Sequence, residues 1–152
     1  MFYALALVIG IVAGLRAFTP IAAISWASRS GGLVLGGSWL AVLGYAWTPW
    51  ILTLLALGEL VTDQLPSTPS RKTPMQFGAR LAIGAVCGAA LGISDGDWFV
   101  GLGLGVVGAV IGTVGGAAAR AKLAAAFGSD RPAALIEDAL AIVAAAAVVI
   151  AA

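Results

Sequence analysis

Residues 98–119 read WFVGLGLGVVGAVIGTVGGAAA, an uninterrupted run without one charged side chain. A helix that crosses a bilayer needs about 20 mostly apolar residues, and this run meets that length. The rest of the chain has the same character. Of its 152 residues, 61% are hydrophobic and only 10% charged, with a mean hydropathy of +1.06. A soluble domain carries about 25% charged residues. This sequence lacks the polar surface to cover a water-soluble globule, so hydrocarbon is the expected solvent.

Further apolar blocks fall at 1–27, 33–47, 48–65, 77–94 and 132–152. The reading is all-α: a polytopic transmembrane bundle of about six spans, forming one membrane domain over residues 1–152. Helical groups 1–65 and 77–152 are joined by a polar loop, 66–76, containing PSTPSRKTP. Its prolines and hydroxyl residues cannot continue a helix. Block 33–47 is short, so five spans is the alternative. Block 1–27 contains Arg16 and Pro20, which predict a kink or break. The start, MFYALALVIGIVAGL, has no basic region ahead of its apolar run and reads as a retained span.

Lys and Arg collect on the cytoplasmic side of membrane proteins. With six spans, Arg29, Arg71/Lys72 and Lys122/Arg131 share one side, while Trp47/Thr48 and the turn SDGD (94–97) lie on the other. Both termini then lie outside. Five Trp and two Tyr suit two interfacial belts. Two groups of three helices with opposite orientation are also the plan of an inverted repeat; six unrelated helices fit equally well.

Glycines recur every fourth residue at Gly84, Gly88 and Gly92, at Gly108, Gly112 and Gly116, and at Gly10 and Gly14. Each set lines one helix face and lets another backbone approach. That face packs within the chain or forms a homo-oligomer seam. Gly103, Gly105 and Gly108 spell a dinucleotide-like pattern, but inside an apolar helix, without the strand that a cofactor site requires. No cofactor is expected.

Charged residues inside apolar blocks carry the functional signal, because an ionisable group in a bilayer costs at least about 2.5–3.5 kcal/mol. Arg16 stands in GLRAFTP. Glu59 and Asp63 are one helical turn apart, Glu137 and Asp138 stand about one and a half turns into the last helix, which Asp130, Arg131 and Pro132 open, and Arg80 and Arg120 sit at helix ends. In the six-span arrangement these groups converge toward the cytoplasmic half, with Glu59 about 9 Å from its helix end at 1.5 Å per residue. Three readings follow: a static ion-pair network, a proton- or cation-linked path, or snorkelling to the interface. Pro20 frees a backbone carbonyl near Arg16, and Thr19 could re-satisfy nearby backbone groups.

Other functions find less support. A net charge of +1 gives no field that would draw nucleic acid. With no histidine and with Cys87 alone, there is no His triad, zinc site or intrachain disulfide. No G-x-S-x-G elbow occurs, so no enzyme and no metal is expected. Arg71 and Lys72, with Ser67, Thr68 and Ser70, could bind a lipid phosphate or simply form a solvated loop. SDGD reads as a tight turn rather than a calcium loop.

GLRAFTPIAAISWA, ILTLLALGELVTDQLPSTPSR, GARLAIGAVCGAALG and IEDALAI together resemble a bacterial membrane-protein family known only as a domain of unknown function. The resemblance covers nearly the whole chain, with GLRAFTP and ELVTDQLPSTPSR its most specific parts. It implies a small multi-pass protein of the bacterial inner membrane and supplies no substrate or catalytic residue. The expected function is a small transporter or channel-like protein, linked to protons or cations. Its expected partners are the bilayer, an ion or small molecule, and further copies of itself. A non-catalytic scaffold packed through its glycines and a lipid-binding protein are the alternatives.

Overall fold

A computed structural model describes residues 1–65 and 72–152. Among these residues the fold is all-α: α1 (Phe2–Leu15), α2 (Phe18–Ser30), α3 (Thr48–Thr62), α4 (Pro74–Ser94), α5 (Trp98–Phe127) and α6 (Asp130–Ala151). A short 3-10 turn, Ala41–Gly44, precedes α3. Three helices, α4, α5 and α6, are long and apolar enough to cross a membrane, where the sequence predicted about six spans.

Three blocks fall short, each for its own reason. Block 48–65 forms α3, which stops at Thr62 after 15 residues. Block 1–27 is not one kinked helix but two. Arg16 is extended (φ −140°, ψ 128°), and α2 restarts at Phe18. Pro20 then stands in the first turn of α2, where a missing N–H leaves no helical bond unmade. Block 33–47 forms no α-helix. Gly31 ends α2 with φ 90° and Gly37 has φ 84°, a left-handed backbone that glycine adopts without steric cost. Other boundaries also move: α4 begins at Pro74, α5 continues past 119 to Phe127, and α6 opens at Asp130.

The chain reverses direction at every connection. The Met1 amine lies 3.8 Å from Asp95 in the α4–α5 turn. Gly32, just after α2, lies against Ala152 at the end of α6. α1 and α2 therefore form a helical hairpin whose tip is Arg16–Ala17, and both its open ends share one end of the bundle. That end carries Asp95, Trp98 and Ala152, and is here called the aromatic end. Arg29 lies there too, opposite Lys72, Lys122 and Arg131 at the basic end, which corrects its expected sidedness. The five Trp and two Tyr gather at one end, where two belts were expected. Trp39 meets Trp98 (ring centroids 6.0 Å apart) and Trp26 meets Trp50 (5.0 Å), while Tyr3, Tyr45 and Trp47 occupy the same end.

α1, α4 and α5 meet backbone to backbone. A Cβ added to Gly88 would collide with the Gly101 carbonyl, and one on Gly84 with that of Gly105; Gly92 abuts Asp97 and Gly101. Further along the same face of α5, Gly108 and Gly112 press against Leu7 and Ile11 of α1, and Gly10 and Gly14 complete that contact. These faces are filled within the chain. Gly116 lies farther along α5, where it lines a small cavity with Leu15 and Leu140. The SDGD turn positions Asp97, which caps α5 by accepting hydrogen bonds from the Phe99 and Val100 N–H groups.

Candidate functional site

Three helices stop short at one level. α1 and α2 have 14 and 13 residues, about 20 Å each, and their tip meets the end of α3. The longer α4, α5 and α6 continue past this level toward the basic end. Arg80, Arg120 and Glu137 each lie six or seven residues in from that end of their helices, about 10 Å at 1.5 Å per residue. Glu59 is only three residues from the end of α3. Its depth comes from α3 stopping short, not from its position along a long helix.

Arg16 is fully buried and is held by three carboxylates. Its Nε donates to Asp138 Oδ1 at 2.6 Å, and its Nη2 reaches the same oxygen. Nη2 is also 2.7 Å from Asp63 and 3.9 Å from Glu137. Arg120 pairs with Asp63, with Glu137 at 3.4 Å and with Asp130 at 2.6 Å. Two guanidinium groups thus share Asp63, and Glu137 stands between the same two. Arg80 donates to the Gly14 carbonyl at 3.0 Å and lies 3.9 Å from Glu59.

Glu59 makes the most specific contact of the set. Its two oxygens accept the N–H groups of Ala17 and Phe18 at 2.7 and 2.8 Å. Those donors open α2 and have no intrahelical partner. The carboxylate also meets the positive end of the α2 dipole. One side chain from α3 therefore fastens the hairpin tip.

The structure brings Arg16, Glu59, Asp63, Arg80, Arg120, Glu137 and Asp138 into one contiguous network. Thr19 is buried in the first turn of α2, but its hydroxyl makes no hydrogen bond; the tip N–H groups go to Glu59 instead. Arg71, Ser67, Thr68 and Ser70 lie outside the described residues. Lys72 is exposed before α4.

Sequence reasoning missed two members. Gln64 donates from Nε2 to Asp138 Oδ2 at 3.0 Å; its polar side chain beside Asp63 in ELVTDQLP was the available signal. Asp130, seven residues before Glu137, binds Arg120 through both oxygens.

Two openings reach the network. A crevice of about 500 Å³ between the hairpin tip, α3 and α4 is lined by Ala17, Phe18, Glu59, Asp63, Gln76 and Arg80, among others. A second, of about 480 Å³, lies at the basic end beside Gln64, Ser129, Asp130 and Arg131. Among the described residues no three acidic or cysteine side chains converge as metal ligands would. The chain matches no known protein family, no curated protein and no solved structure.

Proposed function

We propose that the chain is a small transporter or channel-like protein of the bacterial inner membrane, linked to protons or cations, with the buried network as its polar centre. One observation carries this reading: four carboxylates and three arginines are packed inside an apolar bundle, beside a crevice lined by Glu59, Asp63 and Arg80. The carboxylates outnumber their cationic partners. An excess of negative charge inside an apolar bundle suits a small positive species, a cation or a proton, as the one that is carried.

Glu59 gives the arrival of that species a mechanical consequence. As a carboxylate it accepts two backbone N–H groups and faces Arg80. Neutralising that charge weakens both contacts and loosens the tip, while Trp26 still holds α2 to α3 through Thr53 and Trp50. The crevice then widens at the level of Arg16. The resemblance carried by GLRAFTP and ELVTDQLPSTPSR agrees with a multi-pass inner-membrane protein. Any homo-oligomer would pair through outward positions such as Gly103 and Gly115, where a side chain meets open space, because the inward glycine faces are filled.

A specific observation favours a second, structural reading. Arg16 is fully buried and held by three carboxylates, as a fixed ion-pair network in a scaffold protein would be. Proteoliposome flux separates the two. With a pH-sensitive dye inside and an imposed proton or cation gradient, the wild type should carry flux, and Glu59→Gln and Asp63→Asn should reduce it. Equal flux in all three proteins removes these carboxylates from any path. No flux in any of them favours the scaffold.

A further inference from the structure

We propose that residues 31–47 are a surface-lying segment seated in the lipid head-group layer of one leaflet, the leaflet opposite the basic loops. The sequence GGLVLGGSWLAVLGYAW contains no charge, and its structure has two sides. Leu33, Leu35, Leu40 and Leu43 are turned into the protein and buried. Val34, Val42, Tyr45 and Trp47 point outward, with Val34 and Trp47 each 76% exposed.

Two environments can be set aside on physical grounds. The backbone is irregular: beyond the 3-10 turn it is held by local contacts such as Ser38 N–H to Leu35 O and Thr48 Oγ1 to Val42 O. Irregular backbone facing lipid does not occur within the hydrocarbon layer, because its unpaired polar groups would each cost several kcal/mol, on the order of a lost hydrogen bond or more. Bulk water is equally unsuitable for a contiguous outward set of Val, Tyr and Trp. The head-group layer satisfies both halves, since it hydrates the backbone and accepts amphipathic rings.

The level of the segment is fixed by its neighbours. Trp39 packs edge-on against Trp98, the first residue of α5, and α5 is long enough to cross a membrane. The segment thus continues the lipid-facing surface of α5 at the point where that helix leaves the hydrocarbon. All five Trp and both Tyr collect at this end, while Lys72, Lys122 and Arg131 lie at the other. Because the segment is uncharged, its seating needs no anionic lipid.

The test uses full-length protein in phosphatidylcholine vesicles. Two single-tryptophan variants retain Trp39 or Trp47, with the other tryptophans changed to Phe. Lipids brominated near the head group should quench both more than lipids brominated deep in the chains. Strongest quenching by the deep bromines would overturn the proposal, and so would water-like emission that no brominated lipid quenches. A second measurement avoids the multiple replacements. Val34→Cys and Lys122→Cys, each introduced alone, should react with a membrane-impermeant thiol reagent from opposite sides. Labelling from the same side would mean that the chain crosses between α2 and α3, and would overturn the proposal independently.

Discussion

Arg16 is the residue at which the local and tertiary requirements of this chain meet. It ends α1, turns the backbone, and supplies the cation on which Asp63, Glu137 and Asp138 converge. Removing one partner of a buried network leaves the others charged and desolvated, a loss of about 3–5 kcal/mol. Arg16→Ala should therefore lower the unfolding midpoint in detergent sharply. Arg16→Lys should fall between it and wild type, because an ammonium cannot form the guanidinium's planar fork. Asp130→Asn is the contrast. That carboxylate is 62% exposed, and an exposed pair is worth about 0–1 kcal/mol, so its midpoint should barely move. Much of this network was legible in the sequence, because an ionisable residue in an apolar block is costly and stands out. The two tip N–H groups were not, since backbone donors carry no such mark, and Gln64 offered only its polarity beside Asp63.

Among the elements, α5 is the axis, with α4 and α1 packed side by side along its one glycine-rich face. The glycine spacing announced faces of this kind, and the structure fills them with backbone from Gly84 to Gly92, at Gly10 and Gly14, and at Gly108 and Gly112, but not at Gly116. Gly88→Val should force α4 and α5 apart and cost at least about 1–3 kcal/mol, as overpacking does, with loss of folded yield. Gly103→Val lies on the same axis but meets open space, so its yield and midpoint should stay near wild type. Size-exclusion profiles of the two variants check this directly. Two elements were not legible. Hydropathy scores residues 33–47 as it scores a span, yet Gly31, Gly32, Gly36 and Gly37 deny it a helix. Arg16 and Pro20 signalled an interruption, but sequence alone cannot distinguish a bend that continues from a reversal. Only the partner of the tip, Glu59 on α3, decides that.

In the whole molecule, three short helices and three long ones create the site together. Six equal spans would have buried the charges between continuous helices and left them no access. Because α1, α2 and α3 end at one level, the network lies about 10 Å inside the basic end and borders the crevice at the hairpin tip. At the aromatic end Leu33, Leu35, Leu40 and Leu43 are buried against the protein, whereas both crevices that reach the network lie at the hairpin tip and the basic end. Any path formed around Glu59 is therefore open from one side in this conformation, and a transport cycle would need the tip to move.

The reversal at Arg16 underlies the crevice, the capping of the tip by Glu59, and the sidedness of Arg29. Pulsed-EPR distances between spin labels at Phe2→Cys and Arg29→Cys, in protein held in lipid nanodiscs, test it most directly. The hairpin places both labels at the same end of the bundle, so the distance should be far below the about 40 Å that one continuous helix between them would impose. A distribution centred near about 40 Å would mean that the first apolar block runs straight through, and the site described around Glu59 and Arg16 would not exist.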